Sequence, residues 1–283
     1  MGWLVRKKAV GAALFGLLMV AGCSSGGDSG GTPSASTPAG NGSGTPTKAS
    51  QGDDAAATEA AYRKWGLKPF AAPPTPPTEK PVQGKPGEVP VVSDIPTKEK
   101  IVFVTFDDGA EKDPKFVEMM RDLKIPFTMF LTDDIIRADY GYFKPLQGLG
   151  NSIENHTLSH PNLRTLGEAA QKNEICTQEK KLGKEYGKEP GLFRPPYGNW
   201  NENTRTAAKS CDIRAMVLWR ESMQITNMQY QRGDKKLHPG DIILAHFRGP
   251  KELKGTSMTQ MTANMLRHIQ EQGFTVARLE DYV

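Results

Sequence analysis

Three cysteines in 283 residues leave little room for thiol chemistry. Cys176 and Cys211 have no metal-ligating neighbour at suitable spacing, which argues against a cysteine-bound zinc. No GxxxxGK[ST] phosphate loop occurs, and Asp107 is followed directly by Asp108 rather than by the DxD of an aspartate-based phosphatase. Past residue 20 no apolar run is long enough to cross a bilayer. Dense Lys/Arg patches interleaved with aromatics are also missing, so no nucleic-acid partner is expected. The formal charge of +4 falls to +1 once Arg6, Lys7 and Lys8 are set aside, which points the same way. There is no internal repeat.

Those three cations open a leader that holds no acidic residue through Gly22. Ala9–Val20 follows as an apolar stretch, and VAGC at 20–23 ends in small residues before a cysteine, the pattern of an exported chain. The VAGC string resembles the lipobox of bacterial lipoproteins. By that resemblance residues 1–22 are a signal peptide, Cys23 is lipidated, and the mature protein is extracytoplasmic and held at the cell membrane. Acyl chains gain about 0.8 kcal/mol per buried methylene, enough for stable anchoring. Residues 24–50 are almost wholly Gly, Ser, Thr, Pro, Ala and Asn, and Pro69–Pro90 is proline-rich. Such compositions bury little apolar surface and read as a tether followed by a stiff spacer. A short helix over Ala55–Trp65 carries Tyr62 and Trp65 as its large apolar groups. The linker is thus expected over 23–94 and one folded domain over 95–283. Export also permits a disulfide, and Cys176 and Cys211 are expected to pair.

From Ile95 onward strand and helix signals alternate. Ile101–Gly109, IVFVTFDDG, is an apolar run that ends in two carboxylates and a glycine, a buried strand with charge at its C-terminal end. Asp113 and Pro114 look like an N-cap and first helical residue, and Thr165 with Glu168 like a capping box. Further strands are expected at Phe127–Leu131, Leu192–Phe193, Ile213–Leu218, Ile242–Leu244 and Phe274–Ala277. Met258, Met261, Met265 and Ile269 recur at helical spacing as core. About seven strands separated mostly by helices argue for a parallel barrel or a doubly wound sheet.

Four clusters could carry chemistry. They are Asp107–Asp108, the HTLSHP run at 156–161, RPPYG at 194–198, and DIILAH at 241–246. His156 and His160 would share one face if their stretch makes a helical turn, and a carboxylate from the first strand would complete a three-ligand metal set with an open position. Taken together and in this order, the clusters resemble the polysaccharide deacetylase family, the NodB-like carbohydrate esterases of family 4, over roughly residues 95–283. The resemblance implies a distorted (β/α)7 barrel with its active site at the strands' C-terminal ends. It implies a divalent metal, zinc foremost, on Asp108, His156 and His160. Asp107 then matches the catalytic base, Arg194 the residue that pairs with that base, the Tyr197 N–H an oxyanion donor, and His246 the acid that protonates the leaving amine. His238 and His268 receive no role.

One motif departs from the family. On the strand before His246 two carboxylates are expected, but the chain reads WRESMQIT from Trp219, with Ser222 and Ile225 at those places. Glu221 could substitute if the local turn differs, and Arg248 would disfavour a charged His246 if it points inward. The expected function is metal-dependent deacetylation of an extracellular polysaccharide, N-acetylated peptidoglycan sugars first and chitin-like oligomers next. An O-acetyl esterase, or a glycan-binding lipoprotein that has lost turnover, are the alternatives.

Overall fold

The computed structural model describes residues 48–283 apart from Pro86, with side chains from residue 54 onward. The leader, Cys23 and the first part of the tether lie outside the described residues. The strands are β1 (Val91–Val92), β2 (Ile101–Asp108), β3 (Thr128–Leu131), β4 (Ser152–Asn155), β5 (Leu192–Phe193), β6 (Ala215–Val217), β7 (Glu221–Met223), β8 (Met228–Tyr230), β9 (Ile242–His246) and β10 (Thr275–Val276). The helices are α1 (Lys48–Lys64), α2 (Pro114–Leu123), α3 (Asp133–Ile136), α4 (Phe143–Gly148), α5 (Glu168–Tyr186), α6 (Glu202–Lys209) and α7 (Met258–Glu271).

The strands run in the order β1-β6-β5-β4-β3-β2-β9-β7-β8, with β10 beside the start of β2. Every pairing is parallel except β7 with β8. This is the distorted α/β barrel: the sheet ends on β1 and β8, and the isolated antiparallel pair Asp94–Asp241 joins the chain after β1 to the chain before β9. Alternation along β2 sorts its side chains. Ile101 and Phe103 face the barrel interior with Phe130, Leu192, Ala215, Val217 and Ile242, while Val102, Val104 and Phe106 face the helices. Thr105 and Asp107 continue the inward row, so the period of two alone aims Asp107 into the barrel's upper end.

Local signals hold unevenly. Asp113 caps α2 by accepting from the Lys115 N–H, with Pro114 as the first helical residue. The Thr165–Glu168 box does not form: Thr165 closes a 3₁₀ turn onto the Asn162 carbonyl at 2.8 Å, and α5 starts from Gly167 without a side-chain cap. The capping box instead sits on α6, between Asn201 and Thr204. The hairpin β7–β8 was not expected from sequence, since its three-residue strands lack a clear alternation.

Part of the stretch expected as linker rests on the barrel: residues 54–60 are exposed, and the first buried side chain is Tyr62 of α1. Tyr62 is buried and donates to the Leu123 carbonyl at 2.9 Å, while Lys64 reaches Glu118 and Asp122 at 2.6 and 2.7 Å. Farther along, Lys80 donates to the Val283 carbonyl at 2.8 Å and Val89 is buried before β1 joins β6. Proline-rich chain carries few apolar groups, but those at 62, 67 and 89 are spaced to reach the surface one after another. Cys176 on α5 and Cys211 beyond α6 are bonded, with their Cα atoms 5.0 Å apart.

Candidate active site

Asp107 is 2% exposed and ends the inward row of β2. Its Oδ1 accepts from Arg194 Nη1 at 2.7 Å. Arg194, which leaves β5 on the same interior face, is fully buried and uses every part of its fork. Nη1 also donates to Thr105 Oγ1 at 2.7 Å, Nε to the Val217 carbonyl at 3.0 Å and Nη2 to the Leu218 carbonyl at 3.2 Å. The guanidinium lies 4.2 Å from the Phe130 ring centre. Burial pushes the Asp107 carboxyl up to about 6, and the Arg194 charge and hydrogen bond pull against that rise. The aspartate therefore keeps a usable charge near neutral pH, in a fixed direction.

Asp108 turns the other way because its backbone is left-handed, with φ 71°, followed by Gly109 at φ 89°. A Cβ on Gly109 would stand 2.5 Å from Ile136 Cγ2, so the turn needs glycine. The expected helical turn through His156–His160 is absent: Thr157 and His160 have φ of 71° and 59°, and the segment is a tight loop. Asn155 and Thr157 hold it, Asn155 Oδ1 accepting from the Thr157 N–H and Thr157 Oγ1 from the His160 N–H. The loop brings the two imidazoles together all the same, with ring centres 4.9 Å apart.

Asp108 Oδ1 is buried and accepts no hydrogen bond. It stands 3.6 Å from His156 Nε2 and 3.3 Å from His160 Nε2. Ligands about 2.0–2.1 Å from a tetrahedral ion lie roughly 3.3 Å from one another, so these separations and the orphaned oxygen fit a cation among them. His156 Nδ1 meets the Arg194 carbonyl at 2.7 Å, which assigns the proton to Nδ1 and leaves the Nε2 lone pair facing Asp108. Burial holds this imidazole neutral, its pKa lowered to about 3, as a ligand requires. Asp107 Oδ2 is 3.7 Å from His156 Nε2, close to the set while committed through Oδ1 to Arg194.

Tyr197 follows the stiff Pro195–Pro196 pair in a left-handed conformation, φ 61°, and its side chain is 64% exposed. Its ring meets the His160 ring edge-on at 4.8 Å. His246 lies on β9 directly beside Asp107 in the register. No carboxylate among the described residues pairs with it; burial, then Arg248, lowers its pKa to about 3. Ser222 binds Gln224 Nε2 at 3.0 Å, and Ile225 packs against the core. Glu221 does not replace the missing acid. It is fully buried beside Ile243, three residues before His246, and its charged neighbours are Arg232 at 3.8 Å and Asp241. Sequence reasoning missed Thr105 and Phe130, both of which seat Arg194. A lone threonine amid the apolar residues of β2 was the available signal.

A barrel whose strand ends gather an arginine-held aspartate, a second aspartate and two imidazoles has the architecture of a carbohydrate esterase. The model described as polysaccharide deacetylase matches residues 94–216. An uncharacterised protein of Streptomyces coelicolor is 42% identical over 69% of this chain and 77% of its own length. The chain belongs to the polysaccharide deacetylase family. It is also similar to the peptidoglycan-N-acetylmuramic acid deacetylase PdaA of Bacillus subtilis, 26% identical over 65% of this chain and 72% of that protein. Among solved structures, a family 4 carbohydrate esterase from Bacillus anthracis superposes with a TM-score of 0.55 at 25% identity, covering 68% of this chain and 86% of that one.

Proposed function

We propose that the protein removes acetyl groups from an extracellular glycan, with the N-acetylated sugars of peptidoglycan as the first substrate. Asp108, His156 and His160 would hold a divalent cation, zinc being the best match to two imidazoles and one carboxylate. Bound there, such an ion supplies Lewis acidity toward a carbonyl oxygen and makes nearby water more acidic. Asp107 takes the proton of the attacking water, because Arg194 keeps it ionised and pointed. The observation that carries this proposal is the division of labour between adjacent carboxylates: one bound to a buried guanidinium, the other with a buried, unshared oxygen among imidazoles. The Tyr197 N–H is assigned to the oxyanion.

The departing amine needs a proton. His246, buried among cations, has none to give at neutral pH, so it acts by relaying the proton that Asp107 has just taken. The want of a carboxylate beside His246 favours a second reading, an O-acetyl esterase, since an ester leaving group depends less on protonation. Anchoring at Cys23 would set the site near the cell wall, and peptidoglycan leads for that reason; the similarity to a peptidoglycan deacetylase supports it.

The test is acetate release from purified wall polymer, with and without chelator, by the wild type and by Asp107→Asn. Release that is lost on chelation and in the variant is expected. Release from O-acetylated but not N-acetylated substrate at every pH selects the second reading, and undiminished release by Asp107→Asn removes the base assignment.

A further inference from the structure

Arg248 stands two residues beyond His246, half-buried at the end of β9. It lines the same cleft as His246, the β9 residue that stands beside Asp107 in the register. No hydrogen bond or ion pair joins it to any other described residue, in contrast to Arg194, Arg220 and Arg232, each of which has an acidic partner. A half-buried guanidinium with no directly bonded carboxylate has lost hydration without a hydrogen-bond partner in return.

His246 and Arg248 form one wall of a cleft of about 650 Å³. The side-chain amides of Gln224, Asn227 and Gln229 line it, and Lys254 brings a second cation that lacks an ion-pair partner among the described residues. Glu252 is the one carboxylate in the lining, and it accepts from the Gly249 N–H at 3.3 Å. The volume suits a sugar residue and the amides suit its hydroxyls. The surplus positive charge suits neither. Ile225 lines this cleft where the family resemblance leads one to expect a carboxylate, and Glu252 is left facing two cations, Arg248 and Lys254.

We infer that Arg248 receives a carboxylate carried by the substrate sugar. Resting on the deacetylation proposed above, this narrows the substrate to an N-acetylated glycan with an acidic substituent close to the acetamido group, as in the lactyl ether of muramic acid, over a neutral N-acetylglucosamine polymer. The planar guanidinium and planar carboxylate meet through two parallel hydrogen bonds, giving direction as well as attraction.

Three soluble oligosaccharides of equal length decide it: a peptidoglycan glycan with free lactyl carboxylates, the same glycan with those groups converted to carboxamides, and a neutral N-acetylglucosamine oligomer. Binding is measured on Asp107→Asn, and kcat and KM on the full-length wild type, Arg248→Met and Arg248→Lys. The wild type should prefer carboxylate over carboxamide by about tenfold or more, the difference residing in KM, as expected of a charge-assisted pair. Arg248→Met should abolish the preference and Arg248→Lys restore part of it. Equal treatment of carboxylate and carboxamide by the wild type, or a preference that survives Arg248→Met, overturns the inference while leaving deacetylation standing. If no oligosaccharide releases acetate yet binding still prefers the carboxylate through Arg248, deacetylation falls and the acid-binding cleft remains.

Discussion

Replacing Arg194 by methionine should do more damage to the fold than to any single contact, for a reason that can be separated experimentally. The guanidinium is wholly buried, donates to four oxygens and balances the equally buried Asp107. Breaking one side of such a pair costs about 3–5 kcal/mol, most of it the cost of a stranded charge rather than of the lost bonds. For a domain stable by roughly 5–15 kcal/mol, that is a large share. Since burial already lifts Asp107 to about 6 against the pull of Arg194, removing Arg194 moves the carboxyl higher still. The base is active when ionised, so the acid limb of kcat/KM should shift to higher pH in Arg194→Met, measured at one fixed metal concentration. Urea unfolding of Asp107→Asn, Arg194→Met and the double variant supplies the decisive comparison. The double variant should recover about half of the loss, because an asparagine leaves no charge to strand. If the double variant is no more stable than Arg194→Met, the stranded-charge account is refuted.

Glu221→Gln should stabilise the protein at neutral pH. The carboxyl is fully buried, and burial, followed by the neighbouring Asp241 carboxylate, raises its pKa well above the ordinary value. Above the ordinary carboxyl value the folded chain keeps a proton that the unfolded chain has released, so stability falls as pH rises through the neutral range. Urea midpoints at pH 5 and pH 8 should diverge in the wild type and draw together in the variant; parallel behaviour would count against it. Cys176→Ser with Cys211→Ser opens a link spanning 35 positions, worth about 4 kcal/mol by loop-closure entropy. The midpoint should drop accordingly, and kcat of the folded fraction should fall with it only as far as α5 loosens, since Glu174, two residues before Cys176, holds the Ser159 N–H and hydroxyl at 2.9 and 2.7 Å.

What could be read from the chain beforehand followed from the kind of force involved. The strand IVFVTFDDG was legible because a fully covered strand must be apolar and its abrupt end in charge marks a strand terminus. The long α5 was legible at its end, where Gly187 takes φ 76°, but not at its start, because Thr165 found a nearer carbonyl to bind. The helical turn imagined for His156–His160 failed since side-chain bonds from Asn155 and Thr157 outweighed local propensity. The α1 contact was half legible, since Tyr62 and Trp65 stood out on a short helix, but the seats of Leu67 and Val89 were not: a few apolar groups among prolines reveal nothing until the surface they meet is known. Thr105 under Arg194 and the cleft that Arg248 shares with His246 likewise belong to three dimensions.

Asp108, Thr157, His160 and Tyr197 all carry positive φ, an unusual gathering of left-handed residues around one centre. Anyone wishing to transplant this chemistry onto a designed barrel would therefore fail by copying side chains onto regular strands and turns. The instructions for aiming them are written in main-chain torsions, and the loops would have to travel with the cargo.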